Sequence, residues 1–415
     1  MDASNLLRAV AAAPDDDAPR LVYADWLEQR GDPRGEFIAV QCALAALSGL
    51  SGAPLDRRAA LEARERELIG PNRRRWLAEL DLTASEGAFR RGFVEDVTLW
   101  FSRLLEMHEA LSSAPAPIRG LHLHARPEDA AGRIPRLLAL PLVSGLTRLS
   151  FTGLPLNKTA MTALAGAAEL RGLRSLGLKG HVVNAEMLRI LGSSTHLGGL
   201  RSLALSFCKL EVDEVKWLAS SPHGLGNLTR LDLAGAFLQT EGALALLSAT
   251  SLPLLRHLDL SANRIEGPAA LTSFGALVHL ESLNLAGNAI TVPEQGVAPG
   301  SEPASLRELN LSYNDLGDGG ARALAAWPQL ARLTKLQLFG CKIRDAGVAA
   351  LVSSPHLSGL TALSLGQNRV GLEGAKALAA SPHLGGMRAL NLRECSMDHE
   401  SAGLLRERFG DRVLL

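Results

Sequence analysis

A short apolar frame that returns every 25 to 28 residues constrains this 415-residue chain more than any other feature. Leu255-Arg-His-Leu258-Asp-Leu260-Ser-Ala-Asn263-Arg-Ile265 recurs as Leu280-Glu-Ser-Leu283-Asn-Leu285-Ala-Gly-Asn288-Ala-Ile290, and again as Leu306-Arg-Glu-Leu309-Asn-Leu311-Ser-Tyr-Asn314-Asp-Leu316. The frame also opens at Leu146, Leu173, Leu200, Leu228, Leu333, Leu360 and Met387, with a weaker copy at Ile118. Self-similarity at such a period means one supersecondary unit per repeat, each stacked on the next. Within the frame, Leu258 and Leu260 alternate to one face of a short strand, while His257, Asp259 and Ser261 face the other way. A single coil buries too few apolar side chains to offset the entropy of ordering it, so neighbours and terminal caps must supply the rest.

After the turn at Asn263, most repeats continue into a helical pattern, as in Gly320-Ala-Arg-Ala-Leu324-Ala, Gly347-Val-Ala-Ala-Leu351-Val and Gly374-Ala-Lys-Ala-Leu378-Ala. Thr240, Asp318 and Asp345 stand two residues before such a Gly and are expected to be N-caps. Ser354-Pro355-His356 and Ser381-Pro382-His383 close the helices, because Pro ends what it cannot continue. The coil near 291–305, with Pro293, Pro299, Gly300 and Pro303, lacks the helix signature and is expected to be a loop.

The frame LxxLxLxxNxL resembles the leucine-rich repeat, and a helix per coil of about 27 residues resembles its ribonuclease-inhibitor type. The resemblance implies an α/β solenoid shaped as a horseshoe, with concave parallel strands and convex helices. Asn263, Asn288, Asn314 and Asn368 fill the ninth position of the frame, and so do Cys208, Cys341 and Cys395. Three of the four cysteines therefore read as structural substitutes in one slot, with no metal or redox role. At the C-terminal end, 400–408 reads as a polar-faced capping helix.

Residues 1–92 lack the period and read as a small all-helical module ahead of a solenoid over 93–415. The chain there predicts helices over 6–12, 19–30 and 57–69, with Asn72 capping a further one. Val22, Trp26 and Phe37 read as core residues, and Phe37, Val40, Leu44 and Leu47 form one apolar stripe. Phe93-Val-Glu-Asp-Val-Thr-Leu99 reads as a strand that opens an atypical first coil. Arg20-Leu-Val-Tyr23-Ala-Asp25-Trp26-Leu-Glu28-Gln-Arg-Gly31-Asp32-Pro-Arg-Gly35-Glu36-Phe37-Ile38 resembles the repeat-companion domain that precedes leucine-rich repeats in a family of bacterial proteins. Phe89-Arg-Arg-Gly-Phe-Val-Glu95 and Arg408-Phe-Gly-Asp-Arg412 are similar to that family too. The resemblance implies architecture and no established activity.

Formal net charge is zero, so no global field draws nucleic acid or an anionic membrane, and neither is expected as a partner. Four dispersed cysteines without a CxxC pattern point to a reducing cytoplasm. Asp25, Glu28, Asp32 and Glu36 read as solvated or capping groups. Arg73-Arg74-Arg75-Trp76 reads as a charged helix face beside a core Trp. The histidines of the Ser-Pro-His loops, His196, His223, His356 and His383, are copies of one structural position. No catalytic, cofactor or metal set stands out, and the chain reads as a binding protein, monomeric alone.

The candidate site is the concave face. Position five of the frame runs Asp232, Asp259, Asn284, Asn310, Gln337, with Lys335 beside it. Phe207, Tyr313 and Phe339 occupy positions seven and eight, where exposure is expected. Aromatics make up only 4 % of the chain, so three on one face stand above background. Aromatic anchors ringed by polar groups are what protein-binding hot spots look like. The expected function is a scaffold or adaptor for a protein partner. The alternative is an enzyme regulator, either a hydrolase inhibitor or a GTPase-activating protein, and it rests on fold analogy.

Overall fold

Four helices open the first of two units, Met1–Leu176: α1 (Ala3–Ala12), α2 (Ala18–Glu28), α3 (Arg34–Ser48) and α4 (Leu55–Ala78). The computed structural model describes residues 2–48, 55–114, 116–125, 131–153, 156–220, 224–271, 273, 277–292, 305–395 and 397–415. Tyr23, Ala24 and Leu27 of α2 cluster with Ile38 and Cys42 of α3, while Phe37 and Val40 of α3 cluster with Leu68 and Trp76 of α4. Helix α3 is thus buried on two sides, and the stripe from Phe37 to Leu47 shows only one of them. Gly35 permits the crossing, since a Cβ there would stand 2.5 Å from the Ala24 carbonyl oxygen.

The structure differs from expectation at several points in this unit. Val22 is exposed, because α2 packs through Tyr23, Ala24 and Leu27 instead. Trp26 is only half-buried; it stacks on Tyr23 at 5.9 Å and carries the Arg30 guanidinium 3.8 Å from its ring. Helix α4 runs through Pro71 without a break, and Asn72 does not start a new helix. Its amide donates to the Leu68 carbonyl at 2.9 Å, beside the point where Pro71 removes a backbone donor.

Residues 87–90 are a strand, not part of a helical module. β1 (Gly87–Arg90) pairs antiparallel with β2 (Phe93–Trp100) around Arg91 and Gly92, both with positive φ. A Cβ on Gly92 would lie 2.1 Å from Ile38, so only glycine lets the hairpin turn sit on α3. After β2 comes α5 (Phe101–Ser112), and then β3 (Gly120–His124) and β4 (Arg148–Thr152), which add in parallel. Beneath the hairpin, Arg20 of α2 and Glu95 of β2 form a fully buried ion pair at 2.6 Å. Next along β2, Asp96 pairs with Arg148 at 2.8 Å and with Arg90. Burial alone would raise the Asp96 carboxyl, but hydrogen bonds from His122, Arg90 and Arg148 outweigh it and hold it well below the usual carboxylate range.

The second unit, Gly177–Leu415, repeats one coil. Its short strands are Ser202–Ala204, Arg230–Asp232, His257–Asp259, Ser282–Asn284, Glu308–Asn310, Lys335–Gln337, Ala362–Ser364, Ala389–Asn391 and Val413–Leu414. They pair in parallel and in chain order, so each frame position lies beside its counterpart in the next coil. The leucines of positions four and six are buried throughout. Helices follow most strands, as in Gly317–Ala325, Asp345–Val352 and Leu372–Ala380. Among its described residues, the coil opened at Leu255 carries a 3₁₀ turn, Ala269–Leu271, right after Gly267 and Pro268. The loop expected from Pro293 to Pro303 lies outside the described residues, as do Arg126 and Glu128, the off-frame residues of the weaker copy at Ile118, and His223.

The ninth-position slot is used the same way by both residue types. Asn263, Asn314 and Asn368 donate to the position-six carbonyl of the preceding coil, at 2.8, 2.9 and 2.7 Å. The thiols of Cys208, Cys341 and Cys395 reach the equivalent carbonyls at 2.8, 3.1 and 3.4 Å. A thiol supplies the donor but replaces only part of the amide, since Asn368 Oδ1 also accepts from Cys341 N and Ile343 N. Burial pushes the Cys208 and Cys341 thiols up to about 11. Cys395 is only half-buried.

Thr240, Asp318 and Asp345 do not cap their own helices. Each reaches the next coil instead. Thr240 accepts from Glu266 N, Asp318 from Arg344 N and Gly347 N, and Asp345 from Gly371 N. The stacking of coils brings a neighbour's orphan donors closer than their own. Ser354 and Ser381 likewise bind the Ala325 and Val352 carbonyls of the preceding coil while accepting from His356 N and His383 N. At the C-terminal end, His399–Phe409 is helical, and Val413–Leu414 adds a last strand.

Candidate functional site

From the coil opened at Leu173 to the one opened at Leu360, the N–H of position eight donates to the position-seven carbonyl of the next coil. Examples are Phe207 to Ala234 at 2.6 Å, Gly235 to Ser261 at 2.8 Å and Tyr313 to Phe339 at 2.7 Å. Position eight takes left-handed backbone along this second ladder, and also at Glu394 in the last coil. In the nine coils opened from Leu173 to Met387, φ there lies between 52° and 76°. Four of the coils use Gly (Gly180, Gly235, Gly287, Gly340), and Ala262, Gln367 and Glu394 fill three more. Phe207 and Tyr313 fill the remaining two. A bulky side chain in this region is an outlier.

Both aromatics stay 56 % exposed. One ring face of each rests on the next coil, where a Cβ on Gly235 would come within 2.7 Å of Phe207, and one on Gly340 within 2.9 Å of Tyr313. Phe339 lies against Gly366 in the same manner, and its ring centroid is 5.4 Å from that of Tyr313. Tyr313 and Phe339 are therefore one pair. Phe207 stands apart, four coils away, or about 19 Å at about 4.8 Å per coil. Ala262, Ala286 and Gly287 keep positions seven and eight small between them.

The polar ladder is assembled in register: Asp232, Asp259, Asn284, Asn310 and Gln337 lie side by side on consecutive strands, half-buried. Most of its oxygens are already in use. Asp232, Asp259, Asn284 and Asn310 each accept from the backbone N–H two residues on, at 2.9, 2.9, 3.1 and 3.0 Å, which closes the strand in a turn. Asp232 also takes Ser206 Oγ at 2.6 Å, and Asp259 takes Asn284 Nδ2 at 2.8 Å. Lys335 lies 3.8 Å from Glu308. The ladder is thus first a structural device that presents the remaining polar atoms.

Sequence reasoning missed two members of this edge. Phe237, at position ten, is 49 % exposed with Arg264 stacked 5.2 Å from its ring centroid, and Val182 at the same position is 74 % exposed. Lys179 stands 5.4 Å over Phe207. Position ten varies freely in the frame, so only an alignment of coils by position would have marked them.

The other notable concavity lies in the first unit, a polar pocket of about 680 Å³ beside the β1–β2 hairpin. Five arginines and five acids line it, and they largely satisfy one another, as with Arg91 and Asp17 at 3.2 Å and Arg119 and Asp15 at 3.2 Å. Arg73 is likewise committed to structure through the Ala84 and Gly87 carbonyls. Glu36 is tied to Arg64 at 2.6 Å, and Asp32 accepts from Arg34 N. Among the described residues, no cluster of His, Cys, Asp and Glu is arranged to hold a metal ion, and no helix is long and apolar enough to cross a membrane.

Segments 276–293, 303–325, 332–352 and 356–379 match the Leucine Rich repeat family model. No curated protein matches the chain. Among solved structures it is similar to an internalin (inlF) from Listeria monocytogenes str. 4b F2365, at 16 % identity over 66 % of this chain and 82 % of that one, with a TM-score of 0.36. With the coil geometry described above, the family match identifies the fold as a leucine-rich-repeat solenoid preceded by a helical region.

Proposed function

We propose that this protein is an interaction scaffold or adaptor that holds a partner protein on the strand side of its second unit. Leucine-rich-repeat proteins in general bind other proteins on extended repeat surfaces. The observation that carries the reading is the pair of half-exposed aromatics, Phe207 and Tyr313, on left-handed backbone. Such a conformation costs on the order of 1 kcal/mol or more for a non-glycine residue, and packing one ring face on a glycine returns little beyond that. Retaining aromatics there makes sense for a surface that is covered by a partner. Phe339, Asp232, Asp259, Asn284, Asn310, Lys335 and Gln337 would complete the contact as polar and aromatic neighbours.

The finer assignments are proposals of the same standing. Residues 1–92 act as a repeat-companion module of a bacterial protein, ahead of ribonuclease-inhibitor-type coils over 93–415. In support, the two resemblance segments meet in the Arg20–Glu95 pair, and Tyr23 stacks on Phe93 at 5.9 Å. The protein works in the cytoplasm, monomeric until it meets its partner; four free thiols, three of them buried, support a reducing compartment.

Capture of the partner from native lysate tests the site. Tyr313→Ala and Phe339→Ala should each weaken binding by about 2 kcal/mol or more, the size of a hot-spot loss. Arg322→Ala and Lys376→Ala, on exposed helix positions, should bind like the parent protein. Equal capture by all four variants, each melting normally, would refute the strand-side site.

A further inference from the structure

We propose that the strand-end edge of the second unit takes an extended acidic segment of its protein partner, one that also carries apolar side chains; this rests on the protein-binding role above. Positions seven, eight and ten of the coils form that edge. From the coil opened at Leu173 to the one opened at Met387, they carry six cations (Lys179, Lys209, Arg264, Lys342, Arg369 and Arg393) against two acids, Asp315 and Glu394. All eight are exposed, and Lys342 neutralises Asp315 at 2.7 Å. The chain as a whole has zero net charge, so the surplus belongs to this edge.

Cations and apolar groups alternate along it. Lys179 and Arg264 stand over the rings of Phe207 and Phe237, and Val182 projects beside them. A carboxylate next to an apolar side chain satisfies both members of such a pair at once. Asp232 and Asp259, the acids on the adjoining strands, are half-buried and hydrogen-bonded, so their charge is set back from the edge. The span from Phe207 to Tyr313, small at positions seven and eight and carrying Phe237 and Arg264 at position ten, is about 19 Å long, which suits about six extended residues. A single-stranded nucleic acid is the competing anion. It binds by stacking bases on open ring faces, and here Gly235, Gly340, Lys179 and Arg264 already occupy ring faces.

The test uses the full chain and four fluorescent probes: a peptide alternating Glu with Leu and Phe, the same peptide with Lys for Glu, an all-Glu peptide, and a single-stranded oligothymidine. The Glu/Leu/Phe peptide should bind at least about tenfold more tightly than the other three. Its affinity should fall steeply between about 0.1 and about 1 M salt, as the Debye length shrinks from about 10 to about 3 Å. Lys209→Glu and Arg264→Glu should each weaken it by about tenfold, whereas Lys376→Glu leaves it unchanged. The proposal is overturned by no binding of the acidic–apolar peptide, by equal binding of the lysine peptide, by tighter binding of the oligonucleotide, or by indifference to charge reversal. If partner capture still depends on Tyr313 and Phe339 after such a result, the protein-binding role stands and only the acidic partner falls.

Discussion

Arg20→Met should destabilise the first unit by about 3–5 kcal/mol, because it leaves a buried Glu95, whose carboxyl burial already pushes up, without its partner, either charged at a high cost or taking up a proton to fold. The pair is 2.6 Å long with both side chains essentially inaccessible, and Arg20 also donates to the Pro14 carbonyl. Removing the guanidinium takes away the nearest of the cations that offset the desolvation of that carboxylate, ahead of Arg91 and Arg148. The double variant Arg20→Met, Glu95→Leu should recover most of the loss, since an apolar pair of similar volume avoids the desolvation cost. Hydrogen exchange at α2 and β2 amides reads the effect locally, which matters in a chain of two units where one melting curve is not a two-state quantity. If Arg20→Met exchanges like the parent protein, the pair does not bind the helical region to the hairpin.

The second large effect is expected at Asn368. Its buried amide makes five hydrogen bonds: from Cys341 N and Ile343 N to Oδ1, both 3.0 Å, and from Nδ2 to the carbonyls of Leu338, Leu365 and Gly366. Alanine would leave two donors and at least one acceptor unsatisfied in the interior, at about 1–3 kcal/mol each, so a total loss of about 3 kcal/mol or more is expected. Asn368→Cys should lose distinctly less, because Cys341 shows that a thiol can reach the preceding coil's carbonyl from this slot. Exchange at Cys341 and Ile343 amides should accelerate in the alanine variant before the rest of the unit does. An alanine variant that melts like the parent, or a cysteine variant no better than alanine, would contradict the ladder's role.

Legibility followed periodicity. The strands, the buried leucines and the Asn/Cys slot repeat often enough that each copy checks the others, and the slot's chemistry follows from a donor that both residue types possess. Thr240, Asp318 and Asp345 were recognisable as helix-start residues, yet their acceptors serve the next coil, a fact of stacking that no single repeat contains. β1 was missed because Phe89-Arg-Arg-Gly-Phe93 is too short for alternation to show, and its placement depends on Arg73 and on Ile38, against which Gly92 packs, both from other segments. The site was half legible. Phe207, Tyr313 and Phe339 stood out as rare aromatics at exposed positions, but the left-handed backbone beneath Phe207 and Tyr313 belongs to the turn that each coil from Leu173 onward makes at position eight. The position-five ladder was read as ligand-facing, whereas much of it closes its own strands.

Phe207→Gly separates binding from packing most sharply. Glycine removes the ring while relieving the left-handed strain, so the two effects on folding nearly cancel and stability should move by less than about 1 kcal/mol. Binding to the captured partner should nevertheless fall by about tenfold or more, as for a truncated hot spot. Melting and affinity measured on the same preparation give both numbers. A large loss of stability, about 3 kcal/mol or more, would show that Phe207 is a packing residue, and unchanged affinity with unchanged stability would remove it from the binding surface.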